Sequence, residues 1–187
     1  MTSEVSICNI ALSRVGDNSI ISLTEDSKTA RLCNLLYKDT RNALLREHAW
    51  NFATTRVELA LLSSTPSFGY SYEHQLPSDC IRALVAESDE YEITFKIESG
   101  KVLSNHSSVN LRYIRKVTDP NKYDSSFVDT LSSKLASEMV ISLADNKGLK
   151  EILYKEYIDK LAEARAMDSH EGTPDEILGT TWLEARI

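Results

Sequence analysis

The sequence predicts a mainly α fold with a small antiparallel β insertion: a helical bundle that carries a β-rich extension and an extended C-terminal tail. Three observations predict it. Up to about residue 49 apolar residues recur at helical spacing, from about 55 to 118 they alternate with polar ones, and from Asp124 helical spacing returns with few breaks. The turning point is residues 50–84, where one pattern gives way to the other around Tyr70, Tyr72, His74, Leu76 and Pro77. The expected units are a single body, residues 1–168, and a terminal extension, residues 169–187.

The first helix is expected over residues 3–15. Val5, Cys8, Ile10, Ala11, Leu12 and Val15 supply its apolar face, Thr2 or Ser3 its cap and Gly16 its stop. Residues 17–24 read as a loop pinned by Ile20 and Ile21. A second helix, residues 27–49, is capped by Asp26 or Ser27 and carries Ala30, Leu32, Cys33, Leu35, Leu36, Ala43, Leu44 and Leu45 on one stripe. Lys28, Arg31, Lys38, Arg41 and Arg46 fall opposite, as a solvated face or as a ring of positive charge turned to a partner subunit.

In the β insertion, Val57, Leu59 and Leu61 alternate with Arg56, Glu58 and Ala60. The pattern recurs over residues 81–85, 92–97, 101–103 and 109–117. This predicts a small sheet or meander with Ser99 and Gly100 as one hairpin turn. Asp119 and Pro120 close it. A third helix, residues 124–145, runs from Asp124 or Ser125 through Phe127, Leu131, Leu135, Met139 and Val140. Asn146 to Gly148 break it, and a fourth, residues 149–167, carries Leu149, Ile152, Leu153, Tyr157, Ile158, Leu161 and Ala164. So short a link predicts an antiparallel helical hairpin.

Composition narrows the function classes. A net charge of -7 argues against a chain built to grip phosphate backbones, although an acidic wall lets DNA slide past without sticking. Cys8, Cys33 and Cys80 are odd in number and far apart, so neither a disulfide framework nor a zinc knuckle is expected. Glu4 and Asn9 interrupt what a signal peptide would need, and no apolar run approaches a membrane span. No membrane partner is expected.

Few constellations suggest chemistry. His74 and Cys80 are a base and a nucleophile by type, but the spacing across Pro77 sets no hydrogen-bond geometry and no orienting third group stands out. Glu87, Asp89, Glu90 and Glu92 cluster on a turn between strands, where a glycosidase would need two protected carboxylates across a cleft. Arg112, Tyr113, Arg115 and Lys116 offer cations and a ring for nucleic acid, or a charged edge strand that resists aggregation. The glycines form no phosphate loop. No catalytic residue, cofactor or metal is expected, and the residues alone read as a mainly helical interaction protein.

Trp50, Asn51, Phe52, Ala53 and Thr54, followed by Phe68, Gly69, Tyr70, Tyr72, Gln75, Leu76, Pro77, Asp79, Cys80 and Arg82, resemble the head-to-tail adaptor family of short-tailed bacteriophages, the family of tail tubular protein A. Asn9, Ala11 and Leu12 resemble its opening. Lys116 to Asp119, with Phe127, Leu131 and Leu135, resemble its return into helices, and Tyr157, Ala162, Ala164, Arg165 and Ala166 its last helix.

The resemblance spans residues 5–168 and implies a structural virion protein, a helical bundle with a β-rich extension. Implied with it is a ring, typically dodecameric, beneath the portal protein, passing double-stranded DNA without specific binding and meeting the tail nozzle or next tail protein below. The implied location is the virion neck, after synthesis in the bacterial cytoplasm. Family adaptors clasp the portal with extended termini, which here nominates Ile177, Leu178, Trp182, Leu183, Arg186 and Ile187 for docking. Glu87, Asp89, Glu90 and Glu92 become candidates to line the channel. A protomer that is monomeric until it meets its portal is expected. The rival readings are a virion-associated peptidoglycan hydrolase and a head-completion or stopper protein of another tailed phage type.

Overall fold

The computed structural model of the chain describes residues 2–171. Four helices frame it: α1 (Glu4–Val15), α2 (Lys28–Glu47), α3 (Ser125–Ala144) and α4 (Lys147–His170). Local chemistry sets their ends. Ser3 and Ser6 exchange side-chain and backbone hydrogen bonds in a capping box, and Gly16, at φ 83°, closes α1 with its N–H on the Leu12 carbonyl. Ser27, Asp124 and Asn146 cap α2, α3 and α4 in turn. Between α3 and α4 the chain reverses within two residues, Asp145 taking the left-handed conformation at φ 46°.

α3 packs against all three other helices. A helix enclosed in this way needs small residues where neighbours come close. Thr130, Ser132, Ser133 and Ser137 are buried on it, and each hydroxyl donates to a carbonyl within one turn, so no polar group is stranded. Phe127, Leu131, Leu135, Met139 and Val140 meet Ile7, Leu12, Tyr37, Leu44, Leu153 and Leu161 in the body core.

Two antiparallel sheets lie between α2 and α3. One has the order β1 (Thr54–Glu58), β7 (Asn110–Arg115), β3 (Cys80–Ser88), β4 (Tyr91–Ile93); the other the order β2 (Tyr72–Gln75), β6 (Lys101–Ser104), β5 (Lys96–Glu98). Leu59, Ala86, Val102, Val109, Leu111 and Tyr113 form a second, smaller core. β7 serves both cores: Leu111 and Tyr113 point to the second, while Ile114 and the following Val117 belong to the first. The period-two geometry of one strand thereby fastens the extension to the body.

The predicted mainly α fold with an antiparallel β insertion holds, with local corrections, and the extended tail lies outside the described residues, beyond Glu171. Residues 92–97 are not one strand: the chain leaves the first sheet after Ile93 and joins the second at Lys96, with Phe95 packed on the second core. β2 was not expected as a strand, because its buried position is the polar His74, which the alternation hides. α4 begins before Gly148 and runs on to His170, so the start of the expected tail is helical. Leu35, placed on the apolar stripe of α2, is 68% exposed, and Ile152 and Ile158 are also solvent-facing.

Candidate functional site

The four acidic residues come together at the tip of the β3–β4 hairpin. Asp89 and Glu90 are its two turn residues, at φ 50° and 69°, and the two-residue loop sets Glu87 directly opposite Glu92. Asp89, Glu90 and Glu92 are exposed and Glu87 is half-buried. Beneath them the ribbon is anchored: Ala86, facing Ile93 on β4 and Leu111 on β7, has no exposed surface. The result is an open acidic prong on a packed base, with Tyr91 exposed beside it. The like charges of Glu87 and Glu92 are held together by turn geometry, against their repulsion.

The other sequence candidates are used elsewhere in the fold. His74 is fully buried on β2, its Nε2 3.4 Å from the Ser107 carbonyl. Cys80 begins β3 in the other sheet, and burial followed by the charge of Asp79 pushes its thiol up, away from the thiolate a nucleophile requires. β7, which carries Arg112 and Arg115, is a central strand between β1 and β3, which corrects the edge-strand reading; Lys116 follows the strand's end. Tyr113 is no stacking platform: its ring is buried and its hydroxyl donates to Asp79 at 3.0 Å. Burial, then that bond, pushes the phenol up to about 12.

Of the α2 cations, Lys28, Arg31, Lys38 and Arg46 are exposed, as a solvated face requires, and Arg41 is the exception. Arg41 is only 3% exposed, 3.9 Å from Glu4 and over the Tyr37 ring. Lys28 donates to the Ser142 carbonyl, and Arg31 pairs with Asp26. Arg46 donates to the Ile81 carbonyl while Arg82 donates to the Arg46 carbonyl at 2.9 Å, so two guanidiniums stitch α2 to β3.

That stitching belongs to a joint centred on Trp50. Its indole is fully buried, donates to the Leu44 carbonyl at 3.0 Å and meets Phe127 edge-on at 5.1 Å. Phe52 and Tyr123 complete the ring cluster. The next residue, Asn51, gives its backbone N–H to Asp168 Oδ1 at 2.9 Å and its side-chain amide to the Asp168 carbonyl at 2.6 Å. His48 Nε2 lies 2.9 Å from Asp168 Oδ2. Sequence patterns miss Asp168. The available signal is a carboxylate in the last turn of a helix, where the macrodipole disfavours it.

The proposed docking residues Ile177, Leu178, Trp182, Leu183, Arg186 and Ile187 lie outside the described residues. Among the described residues, no group of His, Cys, Asp and Glu is arranged to hold a metal ion, and no helix is long and apolar enough to cross a membrane. No protein-family model matches the chain, and no curated protein matches it.

Proposed function

We propose that the chain is a head-to-tail connector subunit of a tailed bacteriophage: copies gather in a ring against the portal protein, link it to the next tail component and leave a channel for double-stranded DNA. Support comes from the joint. The resemblance implies a helical bundle with a β-rich extension, which is the architecture present; Trp50 and Arg82, at the two ends of the run that carries it, both donate to carbonyls of α2 at the joint, while its most specific part, residues 70–82, lies in the extension.

In such a ring the acidic prong recurs once per subunit. Turned to the lumen, repeated carboxylates repel the phosphate backbone, and DNA passes without adhering. The residues beyond α4 act as the portal clasp, with Trp182 and Leu183 as apolar anchors. One clasp is weak because the entropy lost in fixing it on the portal offsets much of what its burial contributes. Many clasps in one ring act at high effective concentration, which explains assembly on the portal and a monomer without it.

Native mass spectrometry of the chain with its cognate portal ring tests this. Full-length protein should load the ring, and a chain ending at Glu171 should not. The cut belongs there because Asp168 is part of the folded joint. Portal rings left bare by the full-length chain would remove the connector reading, and a stable ring of the chain by itself would contradict assembly on the portal.

A further inference from the structure

Asp168 breaks a local rule. The last turn of a helix favours cations, yet α4 places a carboxylate there and is followed by the acidic C-cap Glu171. Local propensity therefore does not account for Asp168, and its tertiary contacts do. The residue is 9% exposed, and both carboxylate oxygens and its main-chain carbonyl reach one short stretch of chain, His48 to Asn51.

That stretch is the corner between α2 and the β extension. Asn51 follows the buried Trp50, and β1 begins at Thr54, whose hydroxyl bonds back to the Trp50 carbonyl at 2.8 Å. One turn before Asp168, Arg165 donates to the Glu47 carbonyl at 3.1 Å, at the end of α2. The Glu47 carboxylate accepts from Tyr157, at 2.6 Å, and from Lys134. Earlier turns of α4 are held by Leu153, Tyr157, Leu161 and Ala164, all in the body core. The final turn has Asp168 as its buried residue.

We infer that Asp168 is a positioning residue: with His48 and Asn51 it latches the last turn of α4 to the corner that launches the β extension, fixing where the C-terminal segment leaves the body. The segment's exit and the extension's base then share one set of hydrogen bonds, and opening one loosens the other. The inference rests on the connector proposal in taking portal docking as that segment's task. The latch itself is independent of it.

The test compares full-length wild type with Asp168→Ala and Asp168→Asn at a temperature where all three are folded. Hydrogen exchange should rise about tenfold in Asp168→Ala, both over residues 166–171 and at residues 51–54, as expected when roughly 1.4 kcal/mol of local stabilisation is lost. Asp168→Asn should stay near wild type, because its amide oxygen still accepts from the Asn51 N–H. Portal affinity should fall about tenfold in Asp168→Ala and recover in Asp168→Asn. If Asp168→Ala lowers the melting temperature but binds the portal as wild type does, positioning is overturned and the residue is only structural. If wild type fails to bind the portal, the connector reading fails, and exchange alone decides: a joint rise in both segments supports the latch, and no change at residues 51–54 overturns it.

Discussion

The helical body and the β extension differ in how they are held. The body core joins residues from all four helices and includes Trp50, Tyr37 and Phe127, each with 1% of its surface or less exposed. The extension has six core residues shared by two small sheets, and it borrows its anchorage through β7 and the Arg46 and Arg82 stitches. Fully buried aromatic side chains each remove a large apolar area from water, so the body carries most of the stability. A part that stands on borrowed anchorage can change its tip without unfolding its base, which suits it to presenting the acidic prong.

Trp50→Ala should break the comparison most strongly. Loss of a fully buried indole in contact with Phe127 costs roughly 3 to 5 kcal/mol, read as a lowered urea midpoint. A much smaller loss would show that the body does not depend on the joint. Leu111→Ala, in the second core, should cost about 2 kcal/mol and open the extension while helix amides stay protected in hydrogen exchange. Loss of protection in both regions together would make the molecule one cooperative unit.

Acid should act on the body more gently. Burial pushes the Asp129 carboxyl up, but hydrogen bonds from Lys160 and Arg14 outweigh it and hold the group below the usual range. A depressed carboxylate contributes stability that is complete above its unfolded value of about 3.9 and is lost as pH falls through its lower folded value. Since Asp129 is 46% exposed, solvent screening limits that contribution to under about 1 kcal/mol. Urea titrations from pH 5 to 2 should be shallower for Asp129→Asn. An unchanged pH slope would remove Asp129 as the link between α1, α3 and α4.

The smallest effect belongs to the prong. Glu92→Lys replaces a like-charge pair with an opposite-charge one across from Glu87, and should stabilise the hairpin by about 0.2 to 1 kcal/mol at low salt, fading as salt rises. A destabilised hairpin would mean that the two carboxylates are held by something other than turn geometry.

The fold was legible wherever local chemistry decides it. Ser3, Ser27 and Asp124 cap helices as their side chains predict, and Ser99 and Gly100, both at positive φ, form the expected hairpin turn. What stayed hidden depends on distant partners. β2 escaped notice because burial falls on His74, and the division of residues 92–97 between sheets follows from pairing with β3 and β6. Arg41 read as a solvated cation because Glu4 and Tyr37, which enclose it, meet it only in the folded body. The acidic cluster was visible as a run of carboxylates, but the pairing of Glu87 with Glu92 needed the turn length, and Asp168 gave no periodic signal at all.

Electron cryomicroscopy of the full-length chain mixed with its cognate portal ring bears most directly on the connector proposal. Density should show repeated copies closing a ring on the portal, with the hairpin of residues 87–92 turned toward the axis and the chain beyond α4 running onto the portal. Portal particles that carry no such ring at saturating concentrations of the chain would contradict it.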